Sequence, residues 1–547
     1  MVRAMGSDRV AEHWLECGID AGPAAFAEAA SQVNRLQAWY GAARDPAVRR
    51  SFVRDHLPGG DILVSGAGLH TPGLLADLEA RPDIRVRALV DRLAATRREV
   101  YGLPVVTPDE AAAEKFDYVL LSHTSFEPEM TRQLVAAGVA PARIKPIYSS
   151  DAYQGLVAAR PPRPVPDRSF DAIVVTTHSN TIVGDAELAG PFPPDRTLVC
   201  YMGRVETATG IPGYAWLDLQ ESIDDLVDVI RRVRPRVVYV RLGLLSKNYI
   251  PMYLKARVPD VRVIVEFYDV SASWRDQDAL DLFGLDDTSL RMMRLCELAT
   301  FESTDLVISK RGGPEWDRIV GSLSSPYELF FPQVRMAGEQ QQRPATELRR
   351  LAFAGVLLPL HVLASMTQVG FVFLDVLDQL GATGRYEIDL FNSLHVPLAQ
   401  EEYASYEAKY ATGAVRYHPR LSYPDLMSRL GGYDFGWMCE VDPPAQIDRR
   451  VSVCNRFTGY LSAGLPPILD DSWSFVSQLV REYRAGITVS KVNPQTVDAA
   501  LQAHDPNELR AGLGRLRTHM LAANDKVIER IARVADEPAR PWLAPAA

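Results

Sequence analysis

An arginine near the start of a helix is a ready partner for phosphate. The segment Cys454-Asn455-Arg456-Phe457-Thr458-Gly459-Tyr460-Leu461-Ser462-Ala463-Gly464 places one there. A guanidinium fork matches phosphate oxygens, and the unpaired N–H groups of a first helical turn add partial positive charge. Arg456 is therefore a candidate diphosphate partner, with a plain surface arginine as the bland reading. Asn455 beside it could cap the helix or bind a ribose hydroxyl. The last turn, Ser462-Ala463-Gly464, tips into a short buried strand, because small residues let a helix end and a strand start pack closely. Asp470, Asp471 and Ser472 follow, and Asp471 or Ser472 could cap the next helix.

Phe353-Ala354-Gly355 ends another expected strand, where a glycine lets backbone N–H groups approach a phosphate. His178 lies just past a third, in Thr176-Thr177-His178-Ser179-Asn180. Ligands collect outside the carboxyl ends of strands in open α/β sheets. An imidazole there could act as general base on a hydroxyl, or it could be an inert loop histidine.

Nearer the start, Gly66-Ala67-Gly68-Leu69-His70-Thr71 sits after a strand and before a helix, and Asp91 ends the following strand. An acid in that place could bind ribose hydroxyls. A full G-x-G-x-x-G would need glycine at Thr71, so the fingerprint is incomplete. That favours a degenerate, non-catalytic fold over a working NAD or S-adenosylmethionine site. Gly66, Gly68, His70 and Asp91 are the residues such a site would use.

Three blocks of elements position these groups. Residues 1–57 read as helical, with Trp14, Leu15, Phe26, Val33, Leu36 and Trp39 at near-helical spacing. They could support a homo-oligomer or simply cover the first sheet. Pro58-Gly59-Gly60 ends that region. Strands at 61–65, 84–90, 117–122 and 144–148 then alternate with helices, as a parallel sheet requires. Four prolines within Pro161–Pro166 make a stiff, extended linker. A second alternation has strands at 172–177, 197–202, 237–241, 261–267 and 305–309, and its Ser222–Val233 helix is amphipathic with an acidic first turn. A Gln-rich stretch, Met336–Glu347, closes it. The third alternation has strands at 351–355, 386–392, 414–418, 434–438, 466–469 and 486–490. The domains expected are 1–57 (helical), 58–160, 167–338, 348–530 and a tail, 531–547.

At 547 residues the chain is too long for a single core. A hydrophobic content of 47% with 23% charged residues is that of a globular protein. The net charge of −10 argues against general affinity for nucleic acid or anionic membrane. Five scattered cysteines form no CxxC pair or metal-ligand spacing and fit a reducing cytosol. Residues 1–12 contain no apolar signal region and no long apolar run follows, so a cytoplasmic protein is expected. No GxxxxGK[ST], HExxH, GxSxG or zinc spacing occurs.

The 454–468 segment resembles the nucleotide-sugar-binding motif of GT-B glycosyltransferases, especially the group-1 (family-4-like) enzymes, which often read N-K-x-x-E-Y-x-A-A-G-x-P. Asn455, Arg456, Tyr460, Ala463, Gly464 and Pro466 carry the match. The family's ribose-binding glutamate falls on Gly459, and Val451 stands eight residues upstream, so no E-x7-E pair can be drawn. Tyr417-His418-Pro419-Arg420-Leu421-Ser422-Tyr423-Pro424-Asp425-Leu426 resembles a second family segment, which sets the nucleobase before a capped helix. It implies His418 and Arg420 near base and phosphates, against a solvated loop pair. Glu266-Phe267-Tyr268-Asp269 is similar to the family's histidine–aspartate element with Tyr268 in place of histidine. Asp269 would then contact a sugar, or only cap a turn. The Glu302–Lys310 strand resembles a further family strand, to which no catalysis is assigned. The loop at Asp471 and Ser472 corresponds to one that helps hold sugar or phosphates.

The resemblance covers about residues 170–530. It implies an α/β protein with two Rossmann-like domains in GT-B arrangement, preceded by a helical segment and a third, small Rossmann-like domain. That small domain resembles those following some sugar methyltransferase domains. The implied activity is metal-independent, hexosyltransferase-like sugar transfer, with no cofactor required, from a nucleotide diphosphate sugar to a glycan, lipid-linked, protein or small-molecule hydroxyl. His178 as base would favour inversion, whereas group-1 resemblance favours retention. Gly459, Val451 and Tyr268 keep open a catalytically silent binding or scaffold protein, and a nucleotide-sugar epimerase is a further alternative.

Overall fold

Runs such as Ile173-Val174-Val175, Val237–Val240 and Val263-Ile264-Val265 are buried on both faces, which is how parallel strands between two helical layers read. The computed structural model describes residues 46–67, 71–91, 94, 98–122, 127–159, 164–177, 190–202, 213–219, 222–242, 247–270, 287–320, 324–334, 348–357, 373–392, 403–419, 421–440 and 447–540. His178, Arg420, Gly68, His70 and the expected helical region before residue 46 lie outside the described residues.

Three sheets follow one another along the chain. The first contains β1 (Gly60–Ser65), β2 (Ile84–Val90), β3 (Glu99–Val100), β4 (Leu103–Val106), β5 (Tyr118–Leu121) and β6 (Ile144–Pro146). Its order is β3-β4-β2-β1-β5-β6, parallel except for the β3–β4 hairpin. The helix Pro46–His56 packs beside Asp151–Ala158 on this unit.

The middle sheet is formed by β7 (Ala172–Thr176), β8 (Thr197–Tyr201), β9 (Ala215–Asp218), β10 (Val237–Leu242), β11 (Arg262–Phe267), β12 (Leu306–Ser309) and β13 (Tyr327–Leu329). All seven run parallel, in the order β13-β12-β11-β10-β7-β8-β9. The third sheet holds β14 (Arg349–Gly355), β15 (Tyr386–Asn392), β16 (Val415–His418), β17 (Phe435–Met438), β18 (Pro467–Asp470) and β19 (Ile487–Val489). It too is wholly parallel, ordered β16-β15-β14-β17-β18-β19.

The strands read from the sequence appear within about two residues of their expected bounds. The short strands β3, β4, β9 and β13 were not anticipated. At two to four residues each, they are too brief to leave a pattern.

Among the described residues, the joins between the middle and third units include the last long helix, the chain after it and a short antiparallel seam. The helix Pro506–Val534, 29 residues long, spans roughly 43 Å. Its Leu513, Leu516 and Met520 pack into the core of the third unit, and Val527, Ile531 and Val534 into that of the middle one. At the crossover, buried Asn524 accepts from the N–H of Phe331 at 2.9 Å and donates to its carbonyl at 2.8 Å. Beyond the helix, the Arg540 N–H donates to Asp305, while its carbonyl accepts from Lys255.

Elsewhere, residues 310–312 lie antiparallel to 451–453. The Val453 N–H donates to Lys310 O and the Gly312 N–H to Val451 O, both at 2.8 Å, around an Arg311–Ser452 bridge. Two ion pairs flank this seam, Arg311–Asp448 at 2.5 Å and Arg450–Glu315 at 2.7 Å.

Candidate functional site

The seam sets the carboxyl end of β12 against the start of the helix Asn455–Ser462. Tyr460 holds that helix onto the third sheet. Its hydroxyl accepts the Ala354 N–H at 2.9 Å and lies 3.2 Å and 3.1 Å from the carbonyls of Ala352 and Trp437. Burial pushes the phenol well up, so it stays protonated and can donate. Gly436 is required beneath it, since a Cβ there would meet the Tyr460 ring at 2.5 Å.

One turn earlier, Arg456 crosses to the carboxyl end of β14. Its guanidinium lies 4.5 Å above the Phe353 ring and against the backbone of Gly355. Among the described residues it has no hydrogen-bonded or ionic partner. The stacking orients the fork while leaving its N–H donors for a ligand.

Asn455 does not cap the helix. Cys454 occupies that position, and makes no side-chain cap bond. The Asn455 amide oxygen is buried with no hydrogen-bond partner among the described residues. A buried acceptor of this kind is costly unless a donor reaches it. Between the two units, burial pushes the Cys454 thiol up, and the charges of Arg456 and then Lys310 pull against that.

Across the seam stand Tyr268 and Asp269, after β11, and Lys310 and Arg311, after β12. Arg311 is fully buried and donates to the Tyr268 carbonyl at 2.9 Å and to Asp448 at 2.5 Å. The Asp269 carboxylate lies 3.8 Å from both Lys310 Nζ and Arg311 Nη2, and its carbonyl accepts from Asn248. Tyr268 is backed by buried Arg241, which donates to its hydroxyl at 2.6 Å. Arg241 in turn faces Glu266 at 3.3 Å, and Tyr239 donates to that carboxylate at 2.8 Å. A small recess lined by Glu266, Tyr268, Ser309, Lys310, Phe330 and Pro332 opens here. Sequence reasoning assigned nothing to Lys310. The available signal was a basic pair directly after a buried parallel strand.

The remaining candidates are more dispersed. His418, at the end of β16, is stacked on Phe391 at 4.7 Å and bonded through Nε2 to Asp389 at 2.5 Å. Burial alone would raise the Asp389 carboxyl, but bonds from His418 and Arg416 overrule it and hold it well below the usual range. His418 thus presents an oriented ring. The next helix begins at Tyr423 with Ser422 as its cap.

Neither Asp471 nor Ser472 caps the helix Ser474–Tyr483, because Trp473 stands at that position. Asp471 pairs with Arg481 on the surface, and the Ser472 hydroxyl bonds to buried Asp470. Gly459, where the resemblance would put a glutamate, is buried, yet a Cβ there would meet nothing within 4 Å.

In the first unit, Gly66 has φ +105°, and a Cβ on it would lie 2.7 Å from Ser122 Oγ. The Asp91 carboxylate accepts the Ala67 N–H at 2.8 Å, and Thr71 Oγ1 donates to the Gly66 carbonyl at 2.8 Å. These bonds join Gly66 and Ala67 to Thr71 and Asp91.

Among the described residues no cluster of three or more His, Cys, Asp or Glu side chains could hold a metal ion. No helix there is long and apolar enough to cross a membrane. No protein-family model and no curated protein matches the chain. Solved structures similar to it include sucrose-phosphate synthase from Thermosynechococcus elongatus, at 12% identity over 68% of this chain and 98% of that one, TM-score 0.48. HepE of Anabaena in complex with UDP-glucose is 11% identical over 66% and 99%, TM-score 0.46. Trehalose 6-phosphate synthase from Burkholderia multivorans is 9% identical over 68% and 99%, TM-score 0.43.

The described residues form an α/β fold whose middle and third sheets are wholly parallel. The middle and third units meet at the seam between residues 310–312 and 451–453.

Proposed function

We propose that the protein is a glycosyltransferase. It would move a sugar from a nucleoside diphosphate donor to an acceptor hydroxyl, with the donor on the third unit and the acceptor on the middle one. The observation that carries this reading is Arg456, a guanidinium oriented by Phe353, set against Gly355 and without a hydrogen-bonded partner among the described residues. Such a fork can bind the diphosphate oxygens and stabilise the charge that grows on them as the glycosidic bond breaks. The unpartnered amide oxygen of Asn455 fits a ribose or sugar hydroxyl, and the oriented ring of His418 fits a base edge. On the acceptor side, Asp269 would position the acceptor. His178 is proposed as the base that takes the hydroxyl proton. Closure of the two units would exclude water and limit donor hydrolysis.

Calorimetry against UDP, GDP, CDP and dTDP tests the reading. One of them should bind saturably, and Arg456→Ala should abolish that binding while the protein stays folded. If none binds the folded wild-type protein, the donor site is wrong. The open space beside Gly459 favours a second reading, a nucleotide-binding module without transfer, since no carboxylate reaches the cleft from that turn. Saturable donor binding with no donor consumption over a wide acceptor panel would select it.

A further inference from the structure

The two residues after β12 divide their work unequally. Arg311 is fully buried, and its guanidinium is bonded to the Tyr268 carbonyl and to Asp448 within the seam. The Lys310 ammonium makes no hydrogen bond within the seam among the described residues, though its charge favours the Asp448 carboxylate. Only its backbone carbonyl joins the seam, accepting from Val453 at 2.8 Å, one residue before Cys454. Its side chain is 13% exposed, and the ammonium lies 5.1 Å from the centre of the Tyr268 ring. Asp269 at 3.8 Å balances its charge but is too far for a normal hydrogen bond.

Three ammonium donors thus sit in a largely enclosed recess with no hydrogen-bond acceptor among the described residues. An arriving anion could take those donors. The Lys310 backbone is bonded to Val453, three residues before Arg456.

We propose that Lys310 is a second anion-binding residue of the cleft, reaching from the middle unit to the same diphosphate that Arg456 holds from the third. The proposal rests on the nucleoside-diphosphate reading of that site. One phosphate group is enough for Arg456 alone. Two cations on opposing units suit a ligand with two linked anionic groups, so Lys310 distinguishes a nucleoside diphosphate from the corresponding monophosphate. It also ties donor binding to the approach of the two units, because its ammonium and Arg456 belong to different halves. On donor arrival Lys310 exchanges its distant contact with Asp269 for phosphate oxygens, leaving Asp269 to the acceptor.

The test uses the full chain and the nucleoside diphosphate that binds it best, together with its monophosphate. Lys310→Met should weaken diphosphate binding about tenfold or more, the size of one charged hydrogen bond. It should leave monophosphate binding unchanged, and Lys310→Arg should restore most of the loss. Lys310→Gln, which keeps a polar end, provides a second neutral variant should the methionine form unfold. If both neutral variants bind the diphosphate as wild type does while Arg456→Ala loses it, Lys310 is not a ligand contact and the donor site stands. Equal losses for diphosphate and monophosphate would also overturn the proposal. If wild type binds no nucleoside diphosphate, the proposal falls together with the functional reading.

Discussion

Arg456 and Gly355 occupy adjoining space so closely that a Cβ on Gly355 would lie 2.7 Å from Arg456 Nη2 and 2.9 Å from its Nε. The glycine is therefore a condition for where the guanidinium rests. In Gly355→Ala the methyl group should push the fork off the Phe353 ring. Because the methyl group would also meet the buried Phe353 ring at 2.9 Å, stability should fall by about 1–3 kcal/mol. Donor affinity should fall about tenfold, as for loss of one charged contact. Calorimetry with the preferred nucleoside diphosphate, beside a thermal melt, separates the two effects.

Tyr460 should matter for stability rather than for binding. Tyr460→Phe leaves the buried Ala354 N–H without its acceptor, which should cost about 1–3 kcal/mol. Chemical unfolding should show that loss, while nucleotide affinity in the folded variant stays within about twofold of wild type, under 0.5 kcal/mol.

Gly459 gives the opposite sign. A Cβ there meets nothing within 4 Å, and the residue lies inside the helix Asn455–Ser462. Alanine at this position should stabilise the protein by roughly 0.4–1 kcal/mol, through a less disordered unfolded chain. A lowered melting temperature would mean that the apparent space is filled.

The buried Arg311–Asp448 pair should make the junction between units sensitive to acid. Burial would raise the Asp448 carboxyl, but Arg311 and Lys310 more than offset this and hold it below its ordinary value. A carboxyl lowered on folding contributes stability that is complete above its unfolded pKa of about 3.9 and is lost as the pH falls towards the folded value. Asp448→Ala should cost about 3–5 kcal/mol at neutral pH, because it strands the Arg311 charge. The difference in melting temperature between wild type and variant should be constant from pH 7 to about pH 5 and shrink in more acidic solution. A constant gap down to strong acid would remove the pair from the account.

The alternation of strands and helices was legible because parallel strands buried on both faces are written as unbroken β-branched runs, a local signal. Arg456 and Gly355 could each be singled out for the same reason, one near a helix start and the other at a strand end. Their contact could not. It depends on Tyr460 fastening one helix to β14 and β17 through a single hydroxyl.

His418 reads either as a neighbour of base and phosphates or as part of a solvated loop pair, and its bond to Asp389 appears only once β15 and β16 lie side by side. Asn455 was read as a possible cap, but the chain turns one residue earlier, at Cys454. Lys310 was passed over because its partners across the seam, residues 451–453, come from another part of the chain.

The sequence by itself determined the three parallel α/β units and the residue types at their strand ends, since burial and backbone preference act between near neighbours. Only the tertiary structure decided which of those ends face one another. The long helix Pro506–Val534, the bonds of Asn524 to Phe331 and the Arg311–Asp448 pair join segments far apart in the chain. Interactions of that range depend on packing, which no stretch of sequence encodes alone.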